Sequence, residues 1–189
     1  MITKKIPKII DVLNSIPSER NELLNLEKRL KPSQGYYGSI EGFMGKNENL
    51  KSILIEDYNT LKRIGRTYSE IANRIEELMF DKQFGKISNY KFCGEFTCGE
   101  QECPWKDGST CNQYVMWLIP SKDNNPLLPG EIYKNKEVIE ISGLLPHLIK
   151  EHYFFEGKKS RYRVNPEKIS RIIFQEVLPL KKREFLETT

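Results

Sequence analysis

The sequence predicts an α+β protein in which helical N- and C-terminal parts surround a small antiparallel sheet carrying a cysteine-rich loop. Three observations predict it. Apolar residues recur at helical spacing through the first third of the chain, and again near its end. β-forming residues crowd the middle, in Ile87 to Phe96 and Tyr114 to Ile119. All four cysteines fall at the end of the first of these runs or in the loop that follows it.

The helical part, 1–86, begins with Ile6, Ile9, Ile10, Leu13 and Ile16, a stripe that Pro17 ends. Ser18 is placed to cap a second helix bearing Leu23, Leu26 and Leu30, with Pro32 beyond its end. After a loop rich in glycine and aromatics, Leu50, Ile53, Leu54, Tyr58, Leu61 and Ile64 form a third stripe, interrupted near Asn59 and stopped at Gly65. Thr67 and Glu70 form a capping box, in which each side chain satisfies the other's orphan backbone donor. The helix behind it carries Ile71, Ile75, Leu78 and Met79.

The second part, 87–189, opens with the two β-rich runs, followed by turns at 123–126 and 129–130. Ile132-Tyr133 and Val138 to Ile141 read as a hairpin. Ser142 caps a helix with Leu145, Leu148, Ile149 and His152, in whose first turn Pro146 is tolerated, and Gly157 stops it. Asn165-Pro166 starts a last helix running through Ile169, Ile172, Ile173 and Val177. At 189 residues, both parts fit one compact domain with core enough to fold without staples. A composition of 38% hydrophobic residues, with nine Phe and nine Tyr, excludes a disordered chain.

The strongest chemical signal is Cys93, Cys98, Cys103 and Cys111, spaced Cys-x4-Cys-x4-Cys-x7-Cys. Neither a signal peptide nor an apolar run of the roughly 20 residues that span a membrane is evident, so a reducing cytoplasm is expected. There, clustered thiols point to metal rather than disulfides. Thiolates suit Zn²⁺ or an iron–sulfur cluster; zinc is the first expectation and iron–sulfur the alternative. The Cys-x2-Cys knuckle of zinc ribbons is missing. Gly94 and Gly99 are expected to turn the backbone so that amides face the sulfurs. His147 and His152 have a His-x4-His spacing found in zinc fingers, but about 140° of helix rotation separates them, so a cap or core role is expected instead.

Net charge is +4, which permits nucleic-acid binding without arguing for it. The stretch from Leu61 to Ala72 resembles the first half of a helix-turn-helix, yet no recognition helix follows, and a plain helical hairpin explains it. Lys158, Lys159, Arg161 and Arg163 are candidate phosphate contacts, weighed against an ordinary solvated basic face. Metalloprotease, nucleophile-elbow, dinucleotide and phosphate-loop signatures are absent. The sequence therefore reads as a binding or scaffold module with a structural zinc, acting on nucleic acid or a protein partner. The alternative is an enzyme whose cysteines hold a catalytic metal or iron–sulfur centre.

Overall fold

The computed structural model describes residues 6–32, 42–82, 84–123, 125 and 137–178, the side chains of 97–100 and 110–113 excepted. Along these the order is α1 (Ile9–Leu13), α2 (Arg20–Leu30), α3 (Leu50–Ile64), α4 (Tyr68–Glu76), a π-helical segment (Glu77–Lys82), β1 (Phe84–Ile87), β2 (Tyr90–Glu102), β3 (Thr110–Pro120), β4 (Ile139–Ser142), α5 (Leu145–His152), α6 (Pro166–Ile173) and β5 (Val177–Leu178). The strands form one antiparallel sheet in the order β4-β3-β2-β1-β5. The α+β class is as the sequence predicts. Among the described residues, no helix is long and apolar enough to cross a membrane.

The alternation of β2 and β3 decides which face carries the core. Phe92 pairs with Leu118, Gly94 with Met116 and Phe96 with Tyr114. Phe92, Met116 and Leu118 are fully buried with Leu61, Ile71, Ile75 and Leu148 of the helical layer. The alternate positions, Cys93, Val115, Trp117 and Ile119, form a second, smaller cluster with Val138 and Tyr162. Each fully buried Leu, Ile or Phe contributes about 1.5–3 kcal/mol of transfer free energy, so the helix-facing side dominates stability.

Several element ends follow the expected local chemistry. Thr67 and Glu70 form the capping box, with the Glu70 amide donating to Thr67 Oγ1 at 3.2 Å and the Thr67 amide to Glu70 Oε2 at 2.9 Å. Gly65 ends α3 in the left-handed conformation (φ 66°), and α3 is unbroken at Asn59. Asn165 caps α6 by accepting from the Lys168 amide at 2.9 Å.

Other ends differ. Glu19, not Ser18, precedes α2. Ser142 belongs to β4, paired with Val115, and α5 stops at Tyr153 in a left-handed turn (φ 58°), four residues before Gly157. Val177 leaves α6 for β5, paired with Ile87. Pairing and burial outweigh a local cap or a lone glycine at each of these ends. The hairpin expected at Ile132-Tyr133 lies outside the described residues, while its return strand is β4, paired with β3.

Gly94 does not turn the backbone toward a sulfur. It sits inside β2, where an added Cβ would meet the Tyr114 ring, 2.7 Å from Cε1. The Tyr114 hydroxyl then donates to the Met79 carbonyl at 2.7 Å, giving the wide π-helical turn a partner.

A polar seam joins the loop after α5 to α3. Arg163 forks onto Asp57 at 2.5 and 2.6 Å and donates to the Glu156 carbonyl oxygen at 2.6 Å. Glu48 accepts from the amides of Gly45 at 2.5 Å and Lys158 at 2.8 Å. Gly157 passes so close that a Cβ there would lie 2.6 Å from Met44 Cα. Replacing Gly157 with Ala should therefore lower unfolding free energy by about 1–3 kcal/mol, as overpacking does, measured by urea denaturation.

Glu156 is fully buried with Ser160 as its side-chain partner, and its Oε1 has no hydrogen-bond partner. Burial pushes its carboxyl up to about 8, against the opposing pull of Ser160 and Arg163. Unfolding lets it ionise at its ordinary value of 4.5. Between the two the folded state holds the extra proton, so this contribution is complete below 4.5 and is lost as pH rises through 8. Glu156→Gln should accordingly gain stability relative to the natural chain as pH rises across that window, read from paired urea titrations.

Candidate metal site

β2 and β3 are joined by residues 103–109, a loop closed by the Cys103 amide donating to the Ser109 carbonyl at 2.9 Å. The Lys106 amide returns to the Cys103 carbonyl at 3.0 Å, and the Ser109 amide donates to Asp107 Oδ1 at 2.9 Å. Lys106 (φ 61°) and Gly108 (φ 86°) both take left-handed conformations, which curl the loop back on itself. The amides of Trp105 and Asp107 consequently face the Cys103 sulfur.

α5 supplies the other half. His147 Nε2 lies 2.9 Å from Asp107 Oδ2, and His152 Nε2 lies 2.8 Å from the same oxygen. Cys103 Sγ is 3.3 Å from His152 Nε2. The ligand atoms of Cys103, Asp107, His147 and His152 all lie within 4.8 Å of one another. Cys103 and His152 are buried, whereas Asp107 and His147 reach solvent.

The two histidines converge although five residues separate them: their ring centroids are 5.2 Å apart. The expected divergence holds for two rings on regular turns, whereas α5 ends at His152 and passes directly into Tyr153 in a left-handed conformation. His152, the last residue of α5, is further held by Trp105, stacked on it at 4.3 Å and 7°.

Electrostatics set the protonation states. Burial works to raise the Asp107 carboxyl, but the Ser109 amide and both histidines outweigh it and hold it below the usual carboxylate range. Burial pulls His152 down, against Asp107, toward the neutral imidazole that ligates metals. Burial pushes the Cys103 thiol up to about 12, opposed by the Trp105 amide.

This geometry is not that of a cysteine nucleophile. In a nucleophile–His–carboxylate relay the acid binds one ring nitrogen and the nucleophile the other. Here sulfur and carboxylate meet the same Nε2, a nitrogen that cannot serve both with one lone pair or one proton. A thiol pushed to about 12 is also far from an activated thiolate. Asp107 Oδ2 engages both imidazoles, and a thiol, two imidazoles and a carboxylate within 4.8 Å of one another also make a donor set that could hold a cation.

Among the described side chains, Cys103 is the cysteine grouped with the histidines. Cys93 lies among Val115, Trp117 and Ile119, in the cluster away from the helical layer. Cys111 pairs with Gln101 by backbone register and Cys98 falls at the irregularity between Phe96 and Glu100; the side chains of both are outside the described residues. Asp107, and His147 and His152 as partners to it, were hidden from the sequence reading. A signal existed: Cys103-x3-Asp107 and His147-x4-His152 fit the Cys-x2–4-Cys and His-x3–5-His spacings of zinc sites, with Asp in place of one Cys.

Compared with protein-family models, curated proteins and solved structures, the chain gives no match.

The basic stretch is largely engaged within the chain. Lys158 Nζ lies 2.9 Å from Glu56, Arg161 Nε lies 2.5 Å from Glu140, and Arg163 is buried against Asp57. The segment after α4 runs into the π-helical turn and β1, so no recognition helix follows in that segment. Arg163→Ala should strand a buried carboxylate and cost about 3–5 kcal/mol in unfolding free energy, a loss visible by thermal or urea melting with no nucleic acid present.

Proposed function

We propose that the protein is a binding or scaffold module braced by one divalent metal, zinc, held by Cys103, Asp107, His147 and His152. The observation that carries this reading is the convergence of Sγ, Oδ2 and two Nε2 atoms from a hairpin loop and a helix on a common point. In a tetrahedral site with bonds of about 2.0–2.3 Å, ligand atoms stand about 3.3–3.8 Å apart, so the 2.8 and 2.9 Å contacts to Asp107 would open and any pair near the 4.8 Å limit would close. One thiolate, two imidazoles and one carboxylate match zinc's preferences, whereas among the described side chains one thiol is grouped there, against the four that an iron–sulfur cluster commonly takes. Four protein donors complete a tetrahedron and leave no position for a reactive water, which supports a structural role.

Elemental analysis of protein purified without added metal should find about one zinc per chain. Cys103→Ser and His152→Ala should abolish it and lower the melting temperature, because metal that binds only the folded state stabilises by mass action. Cys93→Ser should retain it. Zinc lost with Cys93→Ser, or none bound by the natural chain, would overturn this ligand set. Cobalt substitution gives the check on role: a tetrahedral spectrum without exchangeable water supports the structural reading, and an open coordination position would support the enzyme alternative.

A further inference from the structure

The ligand loop does more than bridge two strands. Between Cys103 and Asp107 lie Pro104, Trp105 and Lys106, and the first two touch the N-terminal helical region. The Trp105 indole N–H donates to the Ser15 carbonyl, in the connection between α1 and α2, at 2.8 Å. Arg29, on the last turn of α2, donates from Nε to the Pro104 carbonyl at 2.5 Å. Trp105 also lies face to face with His152 and 5.6 Å from Phe154, so one indole joins a metal-site imidazole to the α1–α2 connection.

We propose that metal occupancy sets how firmly α1 and α2 are docked, making the N-terminal helical pair the responding part of a metal-gated latch. This rests on the metal reading above. A cation would fix Cys103 and Asp107 at the two ends of the segment that holds Pro104 and Trp105, so the acceptor for Arg29 and the donor for Ser15 are presented in place. Without it, the loop is shaped by its own backbone bonds and by the Asp107–histidine contacts, and the two hydrogen bonds to α1–α2 open more often. Val12, Leu26 and Leu30 remain buried in the core, so the helices loosen rather than detach.

Hydrogen exchange on the full chain, with equimolar zinc and then with chelator, tests this. Zinc should slow exchange in Ile9–Leu13 and Arg20–Leu30 by about tenfold while leaving α6, which rests on α3 and α4, unchanged. Arg29→Met, which keeps a long side chain but no donor, should bind zinc at the same stoichiometry and lose most of the zinc-dependent slowing in α2. Zinc bound at one per chain with unchanged exchange in α1 and α2 overturns the latch and leaves the metal reading standing. Equal slowing of α6 also overturns it, because that is general stabilisation. Failure to bind zinc overturns both.

Discussion

The pairing of β2 with β3 is the constraint on which the rest of the structure depends. Its register sends Phe92, Met116 and Leu118 to the helical layer and Cys93, Val115 and Trp117 to the other side. A slip of one residue would exchange these sets and place Lys91 in the main core. The same pairing runs past the helical layer to Glu102 and Thr110, where it delivers residues 103–109 to α5. Core and candidate site thus lie along one strand pair, whose register shifts between Phe96 and Glu100. Tyr114 ties them more tightly, since its ring fills the space over Gly94 while its hydroxyl reaches the π-helical turn.

Much of the fold was legible because it rests on short-range chemistry. Thr67 with Glu70, Asn165 with Pro166 and the glycine after Ile64 act within one turn of themselves, and each does what its residue type dictates. Ser142 and Val177 were misread because a strand partner distant in sequence claims them, and no local pattern announces such a partner. The candidate site was half legible. Cysteine clustering drew attention to the right loop, and Cys103 is in it. The assembly was not legible, because Asp107 meets His147 and His152 only when the hairpin is laid on α5, some forty residues away along the chain. The divergence of about 140° expected of the histidines belongs to a regular helix, and His152 sits at the very end of one.

The seam of Glu48, Asp57, Glu156, Ser160 and Arg163 explains how the loop after α5 is held without regular secondary structure. The Asp57 carboxylate, the Glu156 carboxyl and the Arg163 guanidinium are largely taken out of water there, and each has a backbone or side-chain partner. The arrangement costs desolvation, and its return is register. Gly157 fits against Met44 before α3 and Arg163 meets Asp57 within it, and together they set where the chain enters α6. Arg163 therefore belongs to the interior, whatever its charge suggests in the sequence.

The four grouped side chains are not equally reachable. Cys103 and His152 lie at the bottom, and Asp107 and His147 at the rim. A cation arriving from solvent would meet the carboxylate and the outer imidazole first and reach the buried imidazole and sulfur last. A departure that reversed that order would release the buried pair first and the outer pair last. The outer pair would then bear on how fast an ion exchanges, and the buried pair on how tightly it is finally held.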